Sequence, residues 1–212
     1  MCQGFSLDQR VHKELPVTGV EILVRLATAD PWSFTVLDTL RRKLGLTEVV
    51  GVVRMKAWHL TFDVGGDGEA IAITERLLGD TALLANPNRD KWCVREVRET
   101  PLLQDLWHKP EEAVDAYVVK VADRGDLVGK SILRVLNTRL GILEAKDAAF
   151  SSVWVIETAV GEPRSRAIAA DIAVSRSWRR GLLSNPHFQD AEVIRAEVYL
   201  PSSEAATREV NA

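Results

Sequence analysis

A chain of 212 residues, 46% apolar and 27% charged, is long enough for one large domain or for two small ones with cores of their own. Its net charge of −3 and isoelectric point near 5.9 exclude a global electrostatic pull toward nucleic acid or anionic lipid. The N-terminus lacks the apolar core of a secretory signal, no apolar run approaches the ~20 residues that cross a bilayer, and two cysteines, Cys2 and Cys93, make neither a disulfide framework nor a metal site; the expected setting is cytoplasmic.

After an N-terminal extension (residues 1–19), "VEILVRL" (Val20–Leu26) reads as a buried strand. Asp30 is an N-cap by type, and Pro31 follows where a helix loses nothing by its missing N–H. Leu37, Leu40 and Leu44 then form a helical stripe, and Gly45 stands where a C-cap wants a glycine. "VVGVVRMKAWHLTFDV" (Val49–Val64) is extended in pattern and is expected to divide near Met55–Ala57 into two strands. "EAIAITERLLGDTALL" (Glu69–Leu84) is helical in pattern. Asn86-Pro87 reads as its stop, because Asn tolerates the left-handed conformation and the residue before a proline is steered away from helix. "WCVREV" (Trp92–Val97) closes the unit as a strand.

The same order then recurs. "VDAYVVKV" (Val114–Val121) matches the first strand, Asp126 matches Asp30, and Leu133, Leu136, Leu140 and Gly141 lie 96 positions after Leu37, Leu40, Leu44 and Gly45. Trp154, in "AKDAAFSSVWVIETAV" (Ala145–Val160), lies 96 positions after Trp58; that stretch is expected to divide near Ser151–Ser152. "RSRAIAADIAVSRSWRRGLL" (Arg164–Leu183) runs into Asn185-Pro186, 99 positions after Asn86-Pro87. "AEVIRAEVYL" (Ala191–Leu200) alternates as a strand with Ile194, Ala196, Val198 and Leu200 on one face. Agreement across five elements in order is an internal duplication. Each unit reads strand, helix, strand, strand, helix, strand, the split βαβ or ferredoxin-like pattern, which leaves one sheet face for the other unit to cover. The expected fold class is α+β, two tandem units forming a pseudo-dimer with helices packed on antiparallel sheets. Repeat 1 spans residues 20–98 and repeat 2 residues 114–200, followed by a tail at 201–212. The connector (99–113) carries Leu102, Leu103, Leu106 and Trp107 and is expected to pack.

Repeat 1 resembles the PurS family, the small subunit of phosphoribosylformylglycinamidine synthase. The residues that carry the resemblance are Asp30-Pro31 at the first helix start, "VRMKAWHLTFD" (Val53–Asp63) and "LLANP" (Leu83–Pro87); repeat 2 keeps "LLSNP" (Leu182–Pro186). The resemblance implies a fused pair of PurS-like units in a cytoplasmic purine-biosynthesis complex. Such a subunit has no catalytic residue, cofactor or metal of its own and bridges the synthetase and glutaminase subunits of an ATP-dependent, glutamine-using ligase; further homodimerisation is compatible with it. This sequence departs from the family pattern in two places. Met55 and Lys56 follow Arg54 without the family's glycine, and repeat 2 has Phe150, Ser151 and Ser152 there and Leu127 in place of Pro31. Only repeat 1 thus retains basic residues for partner contact.

The partner-binding residues expected on this reading are Arg54, Lys56, Asn86, Pro87, Asn185, Pro186, Trp32 and Trp178, the tryptophans as interface anchors. Cys2 is followed by Gln3 and stands too close to the first repeat to serve an N-terminal nucleophile domain. His12, His59, His108 and His187 have no ligand spacing, and His59 should face away from its neighbour Trp58. "VGGDG" (Val64–Gly68) lacks the lysine of a phosphate-binding loop. Arg164, Arg166, Arg176, Arg179 and Arg180 make one helix locally basic, a solvated face or an anion site. The alternative function is a stand-alone small-molecule-binding regulatory protein on the duplicated fold; a small enzyme lacks a visible acid–base constellation.

Overall fold

The computed structural model describes residues 17–96, 106–177 and 181–200. Repeat 1 forms β1 (Val17–Leu26), α1 (Pro31–Asp38, continued by a π-helical turn over Thr39–Lys43), β2 (Val49–Asp63), α2 (Asp67–Asp80) and β3 (Asp90–Glu96). Repeat 2 forms β4 (Asp115–Asp123), α3 (Leu127–Thr138), β5 (Ala145–Thr158), α4 (Arg164–Ala173), β6 (Gln189–Arg195) and a single turn, α5 (Ala196–Tyr199). The class is α+β. All strands join one antiparallel six-stranded sheet in the order β3-β1-β2-β5-β4-β6.

The middle of each repeat corrects the sequence reading. Val49–Asp63 is one 15-residue strand and Ala145–Thr158 one of 14, without a hairpin at Met55–Ala57 or Ser151–Ser152. Neither place has a turn-forming Gly, Pro, Asn or Asp, so nothing local bends the chain. A long strand is paid for by nonlocal pairing: β2 and β5 run antiparallel from Val49↔Thr158 to Phe62↔Ala145. β1 pairs only the far half of β2, ending at Val24↔Lys56, and β4 pairs the equivalent half of β5. Lys56 lies opposite Ser152, its own duplicate 96 positions on, so the pseudo-twofold axis of the duplication passes through this pair. The repeats therefore join edge to edge, not face to face.

Strand alternation sorts the core into layers. On the face bearing the four longer helices, Val20, Ile22, Val24, Trp58, Leu60 and Phe62 pack with α2 and with Leu136 of α3. Tyr117, Val119, Val121, Trp154 and Ile156 pack with α4 and with Val36 and Leu40 of the first helix. The inward residues of β4 follow those of β1 by 97 positions, while β2 and β5 keep an offset of 96. On the opposite face, Leu106 and Trp107 of the connector, with Ala196, Tyr199 and Leu200, cover Ala116, Val118, Val153 and Val155. Leu102 and Leu103 lie outside the described residues.

Two helix ends confirm their glycines. Gly45 and Gly141 have φ of +69° and +68°, and the chain closes behind them through Leu46 N–H to Leu40 O and Ile142 N–H to Leu136 O, both 3.0 Å. The Asn-Pro pairs act differently from expectation. α2 stops at Asp80 and α4 at Ala173, well before them. Asn86 Oδ1 accepts from Asn88 N and Asn185 Oδ1 from His187 N, each 3.0 Å, forming turns that launch the edge strands β3 and β6. Asp90 and Gln189 reach back to the N–H groups of Asn86 and Asn185 in the same way. The last strand also stops early. At Ala196 the chain turns helical, burying Ala196, Tyr199 and Leu200 and leaving Val198 exposed, so the Ile194–Leu200 alternation is not one face.

Candidate functional site

β1 runs out after Val24↔Lys56, so the first half of β2 has only β5 beside it, and α1 descends into the gap. Asp30 fixes the start of α1: Oδ1 accepts from Trp32 N (3.1 Å) and Oδ2 from the Ser33 hydroxyl (3.0 Å). Ser33 Oγ in turn accepts from Arg54 N at 3.1 Å, tying helix to strand. In repeat 2 the spacer is missing. Asp126 Oδ1 accepts from Gly129 N (2.8 Å) and Oδ2 directly from Phe150 N (2.9 Å), the residue equivalent to Arg54. A Cβ on Gly129 would lie 2.1 Å from the Ala148 carbonyl, so this helix start sits hard against β5. Repeat 1, with a serine in that position, keeps its helix start off the strand.

Beside it open two adjoining cavities of about 410 and 200 Å³ that share Arg25, Leu26, Asp30 and Arg54. The smaller extends to Trp32, Lys56, Arg89 and Asp90. The Arg54 guanidinium lies 5.7 Å from the centroid of the Trp32 ring and 5.4 Å from that of Trp154, held by cation–π attraction. Its Nε is buried without a hydrogen-bond partner among the described residues. Trp32 is 64% exposed and Phe34 beside it 62%, so an aromatic surface adjoins the cationic cleft. Arg25 donates to the Leu106 carbonyl at 2.6 Å, linking the cleft to the connector. The larger cavity reaches Glu157, which is buried and accepts from Trp107 Nε1 at 2.7 Å. Burial raises the Glu157 carboxyl above its ordinary range, against the indole hydrogen bond and with help from the charge of Glu112. A side chain on Gly51 would collide with it, 1.8 Å from Oε2.

Of the residues expected from sequence, Trp32, Arg54 and Lys56 thus meet in one cleft. Asn86 and Pro87 do not line it, but the turn they begin delivers Arg89 and Asp90 to its wall. Asn185 and Pro186 form the equivalent turn before β6. Trp178, Arg179, Arg180, Cys2 and His12 lie outside the described residues. Arg164 pairs with Glu48 at 2.7 Å, while Arg166 and Arg176 are exposed. His108 and His187 are exposed, and His59 points away from Trp58 to the other sheet face.

Sequence reasoning missed a second constellation on that other face. Glu21 Oε1 accepts from the Tyr199 hydroxyl (2.7 Å) and Lys120 Nζ (3.2 Å), and Oε2 accepts from Arg95 Nε (2.6 Å) and Nη2. Arg95 Nη1 donates to the Tyr199 carbonyl at 2.7 Å. Burial alone would raise the Glu21 carboxyl, but Arg95 and Lys120, with the hydrogen bonds of Tyr199 and Arg95, outweigh it and hold the group below its ordinary value. Burial and the neighbouring Glu21 push the Tyr199 phenol far upward. The available signal was a charge inside each apolar run, Glu21 in "VEILVRL", Lys120 in "VDAYVVKV" and Arg95 in "WCVREV", each run carrying a second charge as well, Arg25, Asp115 and Glu96.

Among the described residues no cluster of His, Cys, Asp or Glu could hold a metal ion, and no helix is long and apolar enough to cross a membrane. No family model matches the chain, and no curated protein matches it.

Proposed function

We propose that this chain is a PurS-like, non-catalytic subunit of a phosphoribosylformylglycinamidine synthase complex in the cytoplasm, two ferredoxin-like units fused as a pseudo-dimer that bridges synthetase and glutaminase. The observation that carries the reading is the convergence of Arg54, Lys56 and Trp32 on one cleft whose rim is aromatic and exposed. Arg and Trp are the side chains most enriched at interface hot spots, and a guanidinium between two rings is already oriented before a partner arrives. Among the described residues, repeat 2, with Phe150 and Val128 at the positions of Arg54 and Trp32, offers no second cleft of this chemistry. The pseudo-twofold pairing of β2 with β5 supports the pseudo-dimer part of the reading.

The test is affinity capture of the tagged protein from its host with glutamine, ATP and Mg²⁺ present, read by mass spectrometry. The expected result is co-recovery of synthetase and glutaminase in fixed ratio, lost with Arg54→Ala or Trp32→Ala while the variants stay folded. Recovery of the protein alone from a lysate rich in synthetase would overturn the reading.

A further inference from the structure

Glu21, His59 and Arg95 stand in one row across the sheet face opposite the four longer helices, in the register His59↔Glu21↔Arg95. The duplicate row in repeat 2 is Val155↔Val118↔Ile194, wholly apolar and packed beneath Leu106, Trp107 and Ala196. The fold therefore does not require charge in this row. An apolar row closed by the connector serves in one half, whereas the other half carries buried ions beside an open cavity of about 500 Å³. Burying such groups costs stability unless all are paired, so their presence where a valine row suffices points to use.

The chemistry of the cavity has a sign. Both oxygens of Glu21 are engaged, and two cations, Arg95 and Lys120, face one carboxylate. The Lys120 ammonium keeps donors beyond the bond to Glu21 and is the more exposed of the two cations. The His59 imidazole and Ser151 hydroxyl also line the space and have no hydrogen-bond partner among the described residues. Glu192, opposite Lys120 on β6, is exposed and is outside the lining. Ala57, Ala122 and Ala149 present only methyl groups there, an apolar floor with room above it.

We propose that this cavity binds a small organic anion, its carboxylate or phosphate held by Lys120, His59 and Ser151 and its apolar part resting on Ala57, Ala122 and Ala149. The Glu21–Arg95–Tyr199 assembly is the rigid wall that positions Lys120, and Tyr199 brings the C-terminal turn to the rim. The site does not depend on the docking reading and shares no lining residue with the two cavities of the cleft.

The experiment is titration of the full chain with phenyl phosphate, benzoate, inorganic phosphate and the cation benzamidine, followed by calorimetry and by the His59 ring signals in NMR. Phenyl phosphate or benzoate should bind and shift the His59 signals, with inorganic phosphate weaker and benzamidine silent; the ranking of phosphate against carboxylate identifies the head group. Lys120→Met should weaken binding about tenfold or more, the size of one lost charge-assisted hydrogen bond, whereas Arg124→Gln, just past the end of the same strand but paired with Asp190 outside the cavity, should not. Should Lys120→Met fail to fold, Ala149→Leu tests the same point, since it fills the floor without removing a charge, and it should abolish binding. Silence of both aromatic anions up to about 10 mM, equal binding of benzamidine, or full affinity in a folded Lys120→Met or Ala149→Leu variant would overturn the proposal.

Discussion

Glu21 lies beneath two cations and a phenol; Glu157 has an indole N–H and no cation among the described residues. The difference fixes opposite responses to acid. Because the folded-state pKa of Glu21 is lowered, its stabilisation is present above the ordinary carboxylate range and is lost as pH falls through the folded value. Glu157 is raised, so the fold is favoured by it below the unfolded pKa and loses that contribution as pH rises through the folded value. Glu21→Gln should therefore lower Tm at pH 7 and by nearly as much at about pH 4, the deficit shrinking only as the pH falls further, toward the folded value. Glu157→Gln keeps an acceptor for Trp107 and should raise Tm at pH 7, the gain vanishing at about pH 4. Thermal unfolding of both variants from pH 7 to well below about 4 checks the signs, and parallel pH profiles would refute the assignment. Burial, ahead of the opposing charge of Arg95, pushes the Cys93 thiol up to about 11. At neutral pH it should react with iodoacetamide far more slowly than a free thiol, and at the ordinary rate once the protein is unfolded.

At the scale of elements, the duplication supplies paired controls. Leu40 and Leu136 are equivalent and both wholly buried, each before a left-handed glycine. Truncation to alanine should cost about 2–5 kcal/mol at either site, measured by denaturant unfolding. Asn86→Ala and Asn185→Ala should each cost about 1 kcal/mol, one turn hydrogen bond, and loosen the edge strand that follows rather than the helix that precedes. Amide hydrogen exchange in β3 and β6 discriminates the two. Helix starts and glycine ends were legible because their causes are local: Asp30, Asp126, Gly45 and Gly141 act on the turn they occupy. The long strands were not, because the residues that keep β2 straight through Met55–Ala57 sit on β5, about a hundred residues away in sequence. The break after Arg195 was hidden for a similar reason, since alternation continues on paper while tertiary packing of Tyr199 and Leu200 turns the chain. Trp32, Arg54 and Lys56 could be named from sequence as candidates. Their meeting in one cleft could not, because it follows from where β1 ends, and Glu21 with its partners signalled only as charges inside apolar runs.

At the scale of the whole molecule, the two halves share a plan and differ in chemistry. Repeat 1 carries the cationic cleft, and its Glu21, His59 and Arg95 meet Lys120, Ser151 and Tyr199 of repeat 2 at the polar cavity, while the corresponding places across the pseudo-twofold axis are a helix start pressed on β5 and a valine row under Trp107. Val118→Glu, the repeat 2 counterpart of Glu21, should be strongly destabilising, because its cross-strand partners are Val155 and Ile194 where Glu21 has Arg95; loss of the cooperative unfolding transition would register the effect.

The Lys56–Ser152 pair on the pseudo-twofold axis has a consequence for stoichiometry. In a dimer of two identical units the axis would set Lys56 against another Lys56, and every docking point would occur twice. Joining the units in one polypeptide frees the axial position to differ on its two sides and gives the assembly a head and a tail. Under the proposed docking role, a partner that reads the Arg54 end would meet Phe150 at the other, and so would load once only and in one orientation.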